Sequence, residues 1–428
     1  MNLFDLADVL HGQLLPCGDK NEKYPVTRIE TRLECLRGGE AYLVLTRDPC
    51  RARRETVAAR LQGAVAVINS VSPYKNNIAC ILVDDIPSDD DLDALAKLWR
   101  AEISAPVICV TGSAGKTTTK ELLHTILSRK APCAVSPGSR NGDTAAALNL
   151  FLVSRDDRFA VLEAGINHTG EMERISAILR PDIGIVTNIS AAHLERLGSV
   201  ENVLTEKLKL FEHATPGFTA FLNGDDPLLR AVTDIRGVKP RFFHASDWHG
   251  KLPFAGEHFR TDVAAAAAVA SYLGVSETDI AAAVEEFTPP EARCQFVHVG
   301  NCTVINDCYN ANPASMQAAL ELLSTCPGKR IAVLGDMLEL GENAPEYHRQ
   351  IGALAAETNI DALVCIGELA EHIALGALDA GYPKENCARY PSVDAFLAEK
   401  HPFSAGSTVL LKASHAMGFE RILRRLQT

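Results

Sequence analysis

The sequence predicts an α/β protein in three parts: a small N-terminal α/β domain, a central P-loop ATPase-like parallel sheet, and a C-terminal Rossmann-like domain. From about Pro106 onward, short apolar runs alternate with amphipathic segments, the signature of a parallel sheet covered on both faces. One of these runs, in 107-VICVTGSAGKTTTKELL-123, passes through a glycine-rich turn into a helical stretch, the context of a phosphate loop. The alternation stops at Pro289-Pro290, a plausible hinge, and then restarts.

The N-terminal signals are the weakest. MNLFDLADVLHGQLL reads as a short amphipathic helix, followed by strand-like IETRL, EAYLVLT, AVAVI and ACILVDD. The helical DDLDALAKLWRAE leads into the central part. There VICVTG, FAVLEAG, DIGIVTNI and FTAFLN are strands, each followed by a helical segment, including a stretch over 199–213. VAAAAAVASYLG and SETDIAAAVEEF close this part as a helix pair, the second capped by Ser276. In the last part TVINDCYN, RIAVLGDM, ALVCIGE and STVLLKAS are strands with helices between them.

Composition narrows the function classes. At 428 residues the chain is too long for one core, and 47% hydrophobic with 22% charged residues is ordinary for a soluble globular protein. A net charge of −12 argues against nonspecific nucleic-acid binding. No apolar run approaches a membrane span, and the start lacks the basic region of a secretory signal, so a cytoplasmic protein is expected. Twelve cysteines without a CxxC, several inside apolar runs (Cys80, Cys109, Cys365), read as buried reduced thiols.

The turn after VICV departs from the usual phosphate-loop pattern, which wants a glycine where Val110 stands. Gly112 and Gly115 still allow a tight turn, and backbone amides from Gly112, Ser113, Ala114, Gly115, Lys116, Thr117 and Thr118 can face a phosphate at the positive end of the following helix. Lys116 can reach terminal phosphates, and the Thr117 hydroxyl is placed to ligate Mg²⁺. Glu163 and His193 stand at the ends of later strands, where ligands of open α/β sheets gather. Each alone would more often be structural; beside a phosphate loop they point to a metal site.

These strings resemble the Mur ligase family. The loop 111-TGSAGKTTTKE-121 matches the family's shortened phosphate loop, and 163-EAGINHTGEM-172, 187-TNISAAHLERLGS-199 and 222-LNGDDP-227 match further family segments. In the last part, 306-NDCYNANPASMQAAL-320 and 333-VLGDMLELGE-342 resemble the branch that adds D-alanyl-D-alanine to UDP-N-acetylmuramoyl-tripeptide. The resemblance implies an ATP- and Mg²⁺-dependent amide ligase that works through an acyl phosphate. Its domains would be a donor domain over 1–100, an ATP domain over 101–288 and an acceptor domain over 289–428. It implies catalytic roles for Lys116, His193 and Lys207, with Lys207 carbamylated and joining Glu163 and His193 on a second Mg²⁺. It assigns Asp262, Arg293 and Asp307 to ATP, and Asn310, Asn312, Asp336 and Glu339 to substrate, with Tyr309 in the same loop; helix capping is the competing explanation for the last-domain residues. Partners would be a small-molecule carboxylate donor and an amino-acid or dipeptide acceptor, with no nucleic acid, no membrane insertion and a monomeric state.

The departures from the family pattern lie where substrates bind. The family's Asp-Ser-Arg reads 30-ETR-32, and its Gly…Asp-Gly-His loop is replaced by the basic 46-TRDPCRARRE-55, which could hold an anion or simply present a solvated helix face. The donor-facing Asn-Asn-Glu-Ile-Gly segment appears as 140-RNGDTAA-146, the adenine-facing His-Asn-x-x-Asn as 258-HFRTD-262, and Lys-Gly-Ser-Arg as 412-KASH-415. Two further functions therefore stand beside the cell-wall ligase: a relative joining other substrates by the same chemistry, and a noncatalytic nucleotide-binding protein.

Overall fold

The alternation of apolar and amphipathic segments resolves into three sheets. The structure, a computed structural model, describes residues 1–17, 25–72, 78–252, 256, 259–399, 403 and 405–427. In the central sheet the spatial order is Arg241–Phe243, Thr219–Asn223, Ile183–Val186, Val107–Thr111, Phe159–Glu163, Cys133–Val135. All its pairings are parallel. The chain leaves Val107–Thr111 toward one edge and later crosses to the other side, so the turn after Thr111 lies at the switch point where open α/β sheets bind ligands.

Helix Lys116–Ser128 follows that turn. Its Leu122, Leu123, Ile126 and Leu127 are fully buried in a cluster with Ile108 and Val161 of the sheet and Val263, Ala266 and Val269 of helix Phe259–Tyr272. The small alanines of the second helix let it lie close, so the loop between strand and helix rests on a rigid base.

The first sheet has the order Gln13–Leu15, Ala79–Leu82, Ala66–Asn69, Ala41–Leu43, Ile29–Glu30. The opening segment is not one helix as the sequence suggests. Helix Leu3–Val9, capped by Asn2, ends early, and Gln13–Leu15 joins the sheet antiparallel to Ala79–Leu82. His11, with φ +49°, turns the chain, and at Gly12 a Cβ would lie 2.8 Å from the Ile81 side chain, so only glycine lets the strand approach.

In the third sheet the order is Gln295–Val299, Cys302–Asn306, Thr408–Lys412, Arg330–Gly335, Ala362–Ile366, Cys387–Tyr390. Gln295–Val299, absent from the sequence reading, forms an antiparallel hairpin with Cys302–Asn306. The turn after Pro289-Pro290 places Ala292 and Cys294 at φ +58° and +48°. None of the twelve cysteines, all of them among the described residues, is joined in a disulfide. Among the described residues, no helix is long and apolar enough to cross a membrane.

Candidate active site

The glycine spacing has a steric cause. At Gly112 (φ +148°) a Cβ would fall 1.9 Å from Thr187 Oγ1, and at Gly115 (φ +78°) 2.2 Å from Asp262 Oδ1. Both positions exclude any side chain. The loop is held from the neighbouring strand end: Asn188 Oδ1 accepts the amides of Ser113 (3.0 Å) and Ala114 (2.8 Å), and Thr187 Oγ1 donates to Ala114 O at 2.5 Å. Asn223 Nδ2 in turn donates to Thr187 O, and the Ile189 amide to Asp226 Oδ2. Asn188 stands in 187-TNIS and Asn223 and Asp226 in 222-LNGDDP, and their work is visible only once the strand ends are side by side.

Thr117 Oγ1 donates to Glu163 Oε2 at 2.9 Å and lies 3.1 Å from Ser139 Oγ, while Asn141 Nδ2 donates to Glu163 Oε1 at 2.6 Å. Lys116 Nζ donates to Gly112 O at 2.8 Å. Burial pushes the Lys116 ammonium below the usual lysine range, against the pull of Glu163. Lys120, which reads in sequence as an ordinary helical lysine, is fully buried. Its Nζ donates to Ser136 O (2.6 Å) and Gly138 O (2.5 Å) and lies 2.8 Å from Glu121 and 3.8 Å from Glu163. A buried ammonium so supplied with acceptors holds the 136–141 loop over the phosphate turn.

His193 borders the same cleft. Its Nδ1 lies 2.5 Å from Glu339 Oε2, and burial followed by Lys116 pushes the imidazole pKa down. Lys207 is buried and, among the described residues, its side-chain amine makes no hydrogen bond or ion pair. Burial and the charge of Lys116 hold it well below the usual lysine range. Lys209 is its contrast: paired with Glu206 at 2.8 Å, it is raised.

The opposite wall comes from the third sheet. Arg293 Nη2 donates to Ser139 Oγ at 2.9 Å, with its guanidinium 4.3 Å from the Tyr309 ring centre. Asp307 accepts the Cys294 amide (3.1 Å) and Lys412 Nζ (2.5 Å). Lys412 Nζ also donates to Asn310 O. Asn312 caps helix Pro313–Ser324, and its Nδ2 reaches Ser113 O at 3.4 Å, joining the two walls. Asp262 accepts from Thr119 Oγ1 (3.2 Å), and burial raises its carboxyl to about 7; His258 of the same motif lies outside the described residues.

The residues from Ser113 to Thr118, with Glu163, His193, Asp262, Arg293, Asp307, Asn310 and Asn312, line one cleft of about 380 Å³. Asp336 is elsewhere: its Oδ1 accepts the Ala370 amide at 2.7 Å, capping a helix within the third unit. Glu339 meets His193 rather than the cleft interior. The cleft suits ATP with Mg²⁺: two glycines that tolerate no Cβ form the cradle, and a hydroxyl beside one carboxylate is the donor set Mg²⁺ takes when phosphates supply the rest.

Charges in the altered N-terminal segments have other partners. Glu30 Oε1 accepts the Thr31 and Arg32 amides, both at 2.9 Å, and Oε2 lies 3.1 Å from Arg28. The basic segment forms helix Pro49–Leu61, with Arg47 on Asp85 (3.0 Å) and Arg51 on Glu55 (2.7 Å). Asp143, beyond the phosphate turn, pairs with Arg174 at 3.0 Å.

Residues 110–247 match the Mur ligase middle domain and residues 292–415 the Mur ligase glutamate ligase domain. The UDP-N-acetylmuramoyl-tripeptide--D-alanyl-D-alanine ligase of Bacillus subtilis (strain 168) is 31% identical over 399 residues, covering 85% of each chain. That of Synechocystis sp. is 29% identical over 446 residues, covering 100% of this chain and 97% of its own. A crystal structure of MurF from Acinetobacter baumannii superposes with a TM-score of 0.78 at 27% identity, covering 100% of this chain and 98% of that one. With its phosphate turn, strand-end carboxylate and facing C-terminal wall in one cleft, the chain belongs to the Mur ligase family and is an ATP-dependent peptide ligase.

Proposed function

We propose that the chain joins D-alanyl-D-alanine to UDP-N-acetylmuramoyl-tripeptide for peptidoglycan precursor synthesis, with residues 1–100 taking the donor, 101–288 ATP and 289–428 the acceptor. The observation that carries this reading is the cleft itself, where phosphate-binding and C-terminal residues converge and Asn312 touches the loop at Ser113 O. A donor carboxylate oxygen attacks the γ-phosphorus of ATP, the bond to the β-phosphate oxygen breaks, and ADP leaves. The acceptor amine then attacks the acyl carbon, phosphate departs with the bonding pair, and the amine proton is released. A carboxylate is a poor electrophile, and two anions must meet, so cations must crowd the site.

Lys116 supplies one cation; its low pKa without nucleotide is the cost of burial, which phosphate oxygens would offset. Mg²⁺, held by Thr117 and Glu163, would neutralise phosphate charge when bound. Lys207 suits carbamylation, because only a neutral amine attacks CO₂ and this amine is buried, unpaired among the described residues and depressed in pKa. The carbamate would supply the anion that a lysine lacks, beside Glu163 and His193, for a second Mg²⁺. Asp262, Arg293 and Asp307 would contact ATP, and Asn310 and Asn312 the acceptor side. The enzyme would act as a cytoplasmic monomer, where its nucleotide substrates are.

A second reading has its own observation: Arg32, Arg47 and Arg51 of the altered N-terminal segments pair internally, so a donor other than the UDP-sugar peptide is the alternative. ADP release with UDP-N-acetylmuramoyl-tripeptide plus D-alanyl-D-alanine, set against a panel of other carboxylate and amine pairs, separates the two. Turnover with another pair alone would overturn the first reading. Lys207→Ala should lose activity that bicarbonate does not restore, with partial rescue by small carboxylates; full activity in that variant would remove the carbamate.

A further inference from the structure

The third unit also touches the central one at the rim of the nucleotide cleft, through the turn that follows strand Arg330–Gly335. Glu339 sits there with φ +64°, facing His193 with φ +55°. Left-handed backbone at two non-glycine residues costs free energy and persists where the surroundings over-determine it. Here they do. Glu339 Oε2 lies 2.5 Å from His193 Nδ1, and the Glu195 amide donates to Glu339 O at 3.1 Å. Gly341 packs against the same segment, where a Cβ would meet Glu195 Cα at an ordinary contact distance of 3.4 Å. The turn is anchored within its own unit, with the Met337 amide on His348 Nε2 and the Leu338 amide on Ser414 Oγ, both at 2.9 Å.

An ionised carboxylate only accepts hydrogen bonds, so His193 Nδ1 must carry the proton and Nε2 is left with the lone pair. We infer that Glu339 is the positioning residue for His193, holding its ring and tautomer so that Nε2 faces a divalent cation in the cleft only while the third unit is docked. A carboxylate behind a metal-bound histidine fixes ring orientation and raises ligand basicity. In this chain the carboxylate arrives from a different structural unit than the histidine, so metal binding is coupled to closure. The inference rests on the metal reading of the same cleft.

The test uses the full chain with a nonhydrolysable ATP analogue, Mn²⁺ as the probe and electron paramagnetic resonance as the readout. Glu339→Ala should weaken one nucleotide-dependent Mn²⁺ equivalent about 10- to 100-fold, while Glu339→Gln, whose amide oxygen still accepts from Nδ1, should recover most of it. In the pair His193→Ala and His193→Ala/Glu339→Ala, the second change should add nothing. Equal Mn²⁺ affinity in wild type and Glu339→Ala overturns the inference, as does a Glu339→Ala variant that loses only thermal stability. If wild type itself binds no Mn²⁺ with nucleotide, the metal reading fails first and takes this inference with it.

Discussion

The cleft beside the phosphate turn and the outer strands of the N-terminal sheet are both rich in arginine, lysine and carboxylate, but their charges have different partners. In the cleft, Lys116 folds back on a backbone carbonyl and Asp262 takes a single hydroxyl, while Lys207, which does not line the cleft, has no side-chain partner among the described residues. Each is displaced in pKa away from its charged form by desolvation. In the N-terminal sheet, Arg28 lies between Glu30 (3.1 Å) and Glu40 (3.6 Å), and Glu40 also accepts the Arg37 and Gly38 amides. The three cleft-side groups make no ion pair among the described residues, whereas the N-terminal charges are ion-paired within the fold, even though Arg28 Nε and Glu30 Oε2 make no hydrogen bond.

That contrast predicts loss of function on one side and loss of stability on the other. Lys116→Ala should cut ADP release at least about 1,000-fold with little change in melting temperature, because it removes transition-state charge stabilisation. A variant retaining even a tenth of the activity would break the comparison. Arg28→Met should destabilise by about 3 kcal/mol, since two buried carboxylates lose their cation, and leave the KM for ATP unchanged in the folded fraction. A raised KM with normal stability would instead place Arg28 in binding.

Asp262 gives an intermediate effect with a definite sign. Its folded pKa, about 7, is above the unfolded value, so the native state holds the extra proton between roughly pH 4 and 7 and wild-type stability falls as pH rises through that window. Asp262→Asn removes the dependence and should gain on wild type by the order of 2 kcal/mol on going from pH 5 to pH 8, read from urea melts. Parallel pH profiles would show that the carboxyl is not desolvated. Smallest of all, Arg47→Ala should move the melting temperature by no more than about 1 °C, because its pair with Asp85 is exposed at both ends. A clear loss of donor affinity there would reopen an anion-binding role for the basic helix.

The parallel core was legible because apolar runs such as VICV and FAVLE are buried on both faces and carry no other pattern. Gln295–Val299 escaped notice because an edge strand of a hairpin needs only one buried face, and its Phe296 is exposed. Lys120 and Lys412 escaped for a different reason: a buried lysine and a surface lysine look the same in sequence, and only the carbonyls and carboxylates folded around them tell the two apart. Asp336 shows the converse, since a motif position that suggested substrate binding spends its carboxylate on a helix N-terminus.

By itself the sequence determined the family, the phosphate turn and the order of strands and helices, because these depend on local backbone requirements and on the period of apolar residues. Which charges face the cleft, that Asn188 anchors the loop amides, and that Glu339 meets His193 were decided by tertiary structure. Those contacts join residues from 74 to 146 positions apart, and no local rule of spacing relates them.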